Sequence, residues 1–121
     1  MSRDPKTLVP ELQELYGIFC ERMDAEGLAF ILTCAGRTQA EQEELYARGR
    51  TKPGPKVTWT LKSKHIEGKA FDIAMLKNGK ADWNVASYRR PGEIGQEIGL
   101  EWGGSWKKPD APHFQLKENV G

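Results

Sequence analysis

An aspartate lies inside an otherwise apolar run, Ala70-Phe71-Asp72-Ile73-Ala74-Met75, seven positions after one of the chain's two histidines, His65. As a strand, this run places Phe71, Ile73 and Met75 on one face and Ala70, Asp72 and Ala74 on the other. The first face belongs to a core. The second holds a carboxylate between two small side chains, with room above it. Gly68 lets the chain bend so that His65 folds back toward Asp72. The second histidine stands in Asp110-Ala111-Pro112-His113-Phe114-Gln115-Leu116, where His113 and Gln115 share one face of a strand and Phe114 and Leu116 the other. Two imidazoles and one carboxylate, with one position left open, form the donor set of a catalytic zinc site.

What surrounds these segments is one small globular domain. The 121 residues suffice for a single domain, 1–121, and not for two. No apolar run approaches the roughly 18 residues of a membrane span. The opening Met1-Ser2-Arg3-Asp4-Pro5-Lys6 leads into a polar helix and not into the apolar centre of a secretory signal. The net charge is +1 with lysine and arginine dispersed, which argues against nucleic acid as a partner. Cys20 and Cys34 fit no metal-binding or redox spacing and read as small buried hydrophobes. A disulfide between them is left open, because spacing carries no geometry.

Leu12, Leu15, Tyr16, Phe19 and Met23 recur at helical steps, so Pro10 to Ala25 is expected as an amphipathic helix ending at Gly27. Leu28 to Thr33 is a short apolar run, expected as a buried strand. Thr38-Gln39-Ala40-Glu41 is a capping box, starting a second helix that stops by Gly49. Residues 50–56, with Pro53, Gly54 and Pro55, form a loop, expected to be the most mobile stretch, and 57–61 is expected to be extended. Asn78-Gly79 marks a hairpin after the Asp72 strand. Asn84 to Tyr88 is expected as a helical turn, Pro91 to Ile98 as a third helix, Leu100 to Lys108 as irregular and Pro112 to Leu116 as a last strand. The class is α+β.

A zinc site of this kind needs a base for the water's proton and a positive group facing the developing oxyanion. Asp110, three residues before His113 and held by the intervening Pro112, is the candidate base. Arg37, between the apolar strand and the capped helix, is the candidate cation; its planar fork could equally grip a substrate carboxylate. Ser63, two residues before His65, is a candidate substrate contact. Trp59, Trp102 and Trp106 are candidate cleft walls, and Trp102 is assigned to substrate. Gln115 is placed behind a metal ligand, while Glu67 and Glu101 are read as solvated.

Together, Ser63-x-His65-x-x-Gly68-x-Ala70-x-Asp72 and Asp110-x-x-His113 resemble the M15 zinc peptidases. That family comprises D-alanyl-D-alanine carboxypeptidases, the VanY- and VanX-like peptidases, and phage L-alanyl-D-glutamate endolysins. Gly36-Arg37-Thr38, followed by Gln42, Leu45, Tyr46, Gly49 and Arg50, extends the likeness. Gly92-Glu93-Ile94-Gly95 and Leu100-Glu101-Trp102-Gly103-Gly104-Ser105-Trp106 are most similar to the endolysin branch.

The resemblance runs from about Leu28 to Leu116. It implies a small α+β domain with an antiparallel sheet carrying the metal and helices packed mainly on one side. It implies one zinc ion held by His65, Asp72 and His113, with Asp110 as general base and acid where other branches have glutamate. Arg37 would steady the scissile carbonyl or the substrate carboxylate. The implied substrate is the peptidoglycan stem peptide, cut between L-alanine and D-glutamate; that bond follows from the branch alone. Two alternatives stand beside it: a D-alanyl-D-alanine carboxypeptidase or dipeptidase, and a non-catalytic wall-binding or phage structural protein that keeps the fold. A monomer is expected, made in the host cytoplasm and released to the wall through a holin pore. No separate wall-binding domain is expected, since the sequence stops five residues after Leu116.

Overall fold

The computed structural model describes residues 2–56 and 64–117. Ser63, Trp59 and the segment expected to be extended at 57–61 lie outside them. Helix α1 spans Pro10–Ala25, as its periodicity predicts, with proline in the first turn and Leu12, Phe19 and Met23 buried. Strand β1 is Phe30–Cys34, starting and ending slightly later than expected; it is not the buried strand expected, for at the edge of the sheet only Cys34 is buried and Ile31 is exposed. Helix α2, Gln39–Ala47, begins at a complete capping box: the Thr38 hydroxyl accepts from the Glu41 backbone and the Glu41 carboxylate accepts from the Thr38 backbone.

Strand β2, Ala70–Lys77, turns through Asn78 and Gly79, both at positive φ, into β3, Lys80–Asp82, the backbone that Asn-Gly favours in a two-residue hairpin. A helical turn at Val85–Tyr88 leads into α3, Arg89–Glu97. Strand β5, His113–Leu116, closes the fold. The stretch expected to be irregular contributes β4, Leu100–Trp102. Three residues are too few to display a period.

The sheet runs β1-β2-β5-β4, with β3 beside the far end of β2, and every pairing is antiparallel. One face rests on α1 and α3 through Phe71, Ile73, Met75 and Phe114, packed with Leu12, Phe19, Met23 and Ile94. The rings of Phe19, Phe71 and Phe114 lie 5.1–5.6 Å apart, centre to centre. Each phenyl removed from water contributes about 1.5–3 kcal/mol. The opposite face carries Asp72, His113 and Gln115. No helix among the described residues is long and apolar enough to cross a membrane. Cys20 and Cys34 are both free thiols.

Candidate active site

Three strands set the site by register. Asp72 on β2 pairs with His113 on β5 and with Cys34 on β1. Residues directly opposite in antiparallel strands present side chains to the same face, so these three form one row across the open side. Cys34 reaches that row through a bulge. Leu32 opposes Ile73 on the core face, and the next paired residue, Cys34, opposes Asp72. In a regular ladder Thr33 would face Asp72 and Cys34 would face Phe71 in the core; the extra residue re-aims the thiol.

His65 arrives from a loop. Gly68, at φ +71, bends the chain, and its amide donates to the His65 carbonyl. The same carbonyl accepts from the Arg37 amide at 3.0 Å, which straps the histidine loop to the Arg37 segment. A side chain at Gly68 would also meet the Thr7 carbonyl at 2.8 Å.

The sequence-expected ligands come together. His65 Nε2 lies 3.3 Å from Asp72 Oδ1, and His113 Nδ1 lies 2.9 Å from that same oxygen. The outward nitrogens are engaged: His65 Nδ1 donates to the Ala35 carbonyl at 2.9 Å, and His113 Nε2 meets Gln115 Oε1 at 2.9 Å. Two imidazole nitrogens therefore flank one carboxylate oxygen, and hydrogens or a cation must lie between them. Without an ion, imidazole N–H groups donating to Asp72 Oδ1 do it. Burial alone would lower the His65 pKa, but the Asp72 hydrogen bond overrides it and pushes the ring up to about 10. Burial would likewise raise Asp72, yet its bonds from His113 and His65 hold it well below the carboxylate range. A divalent ion would take the place of those hydrogens, so the donor set fits a metal.

Among the described residues, the trio whose ligand atoms all lie within 4.8 Å of one another is Cys34, His65 and Asp72; His65 and His113 each reach Asp72 but do not complete such a trio with it. The thiol, however, approaches the His65 nitrogen already facing Ala35, at 3.6 Å. It contacts the ring from the Nδ1 side, opposite the Nε2 that faces Asp72.

Arg37 lies beside this cluster. Its Nη1 donates to the buried Gln42 Oε1 at 2.6 Å and its Nη2 to Cys34 Sγ at 3.6 Å. Asp110 stands at the rim, its amide bonded to the Gly103 carbonyl and its own carbonyl accepting from the His113 amide. Burial and then the charge of Asp72 hold its carboxyl above the ordinary value, against a weaker opposite pull from the His113 and His65 rings.

Trp102 is placed otherwise than expected. It pairs with Phe114, on the core side; a side chain at Gly92 or Gly104 would strike its ring, and its indole donates to the Ala111 carbonyl. Trp106 is the indole at the site, 5.1 Å from the His113 ring. Glu101, read as solvated, instead accepts from Trp106 Nε1 and Gln115 Nε2. The absent signal was register: pairing with Gln115, and not composition, turns Glu101 to the site face.

A small α+β domain with two imidazoles, a carboxylate and a flanking acid on the open face of an antiparallel sheet is laid out as a metal-dependent hydrolase. Residues 56–116 match the Peptidase M15 family model described as D-alanyl-D-alanine carboxypeptidase. The peptidoglycan L-alanyl-D-glutamate endopeptidase CwlK of Bacillus subtilis is 33% identical over 136 residues, spanning 92% of this chain and 78% of that protein. The L-alanyl-D-glutamate peptidase of Escherichia phage T5 is 30% identical over 121 residues, spanning 94% of this chain and 83% of its own length. The crystal structure of the Serratia marcescens L-Ala D-Glu endopeptidase ChiX superposes with a TM-score of 0.74 at 26% identity, covering 93% of this chain and 83% of that one. The chain belongs to the M15 peptidase family.

Proposed function

We infer that this chain is a zinc-dependent peptidase that cuts the peptidoglycan stem peptide between L-alanine and D-glutamate. One observation carries the reading: His65 Nε2 and His113 Nδ1 face the same Asp72 oxygen, at 3.3 and 2.9 Å. His65, Asp72 and His113 are the proposed ligands, and nitrogen and oxygen donors in this number suit zinc. Zinc, when bound, lowers the pKa of its water to about 7 and polarises a carbonyl.

The chain's own groups do the rest. Asp110 takes the proton of the attacking water and returns it to the departing amine. Its raised pKa helps it carry that proton between the two steps. Arg37, braced by Gln42 and Cys34, presents its fork to the developing oxyanion or to a substrate carboxylate. Trp106 walls the cleft beside His113, and Ser63 keeps its proposed place as a substrate contact two residues before His65. The choice of bond rests on the kinship with the Bacillus and phage T5 proteins. The enzyme is proposed to act as a monomer in the wall compartment, reached through a holin pore.

Digestion of purified peptidoglycan, followed by mass spectrometry, tests the reading. Stem peptides released with D-glutamate at their new amino terminus are expected. Free D-alanine would make it a D,D-carboxypeptidase instead, and no product would make it a non-catalytic relative. Asp110→Asn should lower turnover by about 10²–10⁴-fold with the ion still bound. Undiminished turnover in that variant removes Asp110 from the mechanism.

A further inference from the structure

We propose that Glu101 is a positioning residue that decides, through Gln115, which nitrogen of His113 is free to bind metal. The inference rests on the site reading above and deepens it. Glu101 on β4 pairs with Gln115 on β5, so both side chains stand on the open face. Glu101 Oε2 accepts from Trp106 Nε1 at 2.9 Å and from Gln115 Nε2 at 3.3 Å. Gln115 Oε1 meets His113 Nε2 at 2.9 Å.

The logic is one of donors and acceptors. An ionised carboxylate only accepts, so Gln115 must turn its NH₂ group to Glu101. That leaves the amide oxygen for His113. A carbonyl oxygen also only accepts, so His113 Nε2 carries the hydrogen. With that hydrogen on Nε2, Nδ1, 2.9 Å from Asp72 Oδ1, is the nitrogen left for an ion.

Gln115 alone does not enforce this. Rotated by half a turn, its amide would donate to Nε2, move the hydrogen to Nδ1 and turn a ligand into a donor. The carboxylate breaks that symmetry, and Trp106 braces it from the same oxygen. His65 needs no such relay, because its Nδ1 donates to a backbone carbonyl, that of Ala35. His113 thus takes its tautomer from a side-chain chain that substitution can cut.

Glu101→Leu removes the acceptor, Glu101→Gln lets the relay flip, and the double variant Glu101→Gln with Gln115→Glu places a carboxylate directly on His113 Nε2. Zinc affinity of the full chain, read by competition with a chelator, should fall about 10–100-fold in Glu101→Leu. It should fall by a smaller factor in Glu101→Gln and recover in the double variant. The His113 Nε2–H signal in the nitrogen-15 NMR spectrum of the metal-free protein should be present in the parent, lost in Glu101→Leu and restored in the double variant.

Unchanged affinity and an unchanged signal in Glu101→Leu overturn the proposal. So does a double variant no better than Glu101→Gln, which is the result expected if Glu101 merely fastens β4 to β5. Should Glu101→Leu fail to fold, the Glu101→Gln and double-variant pair decides the matter alone. Failure of the site reading looks different: the parent would bind no zinc, while the Nε2–H signal would still judge the relay.

Discussion

At the scale of residues, the site is a balance of protons. His65 and Asp72 each move the other's pKa, the imidazole upward to about 10 and the carboxylate downward. A group whose folded pKa is raised stabilises the fold below its unfolded value, here 6.5, and loses that contribution as pH rises through its folded value. Chelator-treated protein should therefore melt at progressively lower temperature between pH 7 and 10. Calorimetry checks this, and His65→Gln should flatten that part of the profile. A melting temperature that does not fall over this range would mean that the His65–Asp72 contact is absent from the metal-free protein.

At the scale of elements, geometry depends on close approaches that side chains would spoil. A Cβ at Gly103 would lie 2.4 Å from the Asp110 carbonyl and 3.2 Å from the Cβ atoms of Asp110 and His113. Those neighbours are backbone or backbone-fixed, so Gly103→Ala must shift the strand entry that carries the proposed acid, Asp110, and the proposed ligand, His113, together. A displacement near 1 Å can cost about 100-fold in rate, with a stability loss of about 1–3 kcal/mol. Gly79→Ala is the control. Its φ of +75 costs an alanine about 1–2 kcal/mol, but the turn is about 16 Å along β2 from Asp72. Peptidoglycan turnover and denaturant midpoints should separate the two: both variants lose stability, and only Gly103→Ala loses rate. Equal rates would detach Gly103 from the site.

The same scale explains what the sequence discloses. The Asp72 and His113 strands were legible because alternation states which side chains share a face, and the capping box and Asn-Gly turn name their own geometry. Register is not written in alternation. Trp102 and Glu101 are neighbours on β4, and only pairing with Phe114 and Gln115 sends one to the core and the other to the site. The bulge at Thr33, which brings Cys34 beside Asp72, leaves no compositional trace.

At the scale of the whole molecule, core and site share the same strands. Phe114 sits between His113 and Gln115 and stacks on Phe71 at 5.4 Å. Phe114→Ala should cost about 3–5 kcal/mol in denaturant unfolding, a large share of the roughly 5–15 kcal/mol available to a domain. A loss below about 1 kcal/mol would mean that the three phenyl rings are not packed in solution. The alternation has a further result for folding. If β5 slid along β2 by one residue, the His113 imidazole and the Gln115 amide would plunge into oil and the Phe114 phenyl would surface. With His113 turned away the proposed ligand set would be broken, so a misaligned molecule would betray itself by capturing no ion.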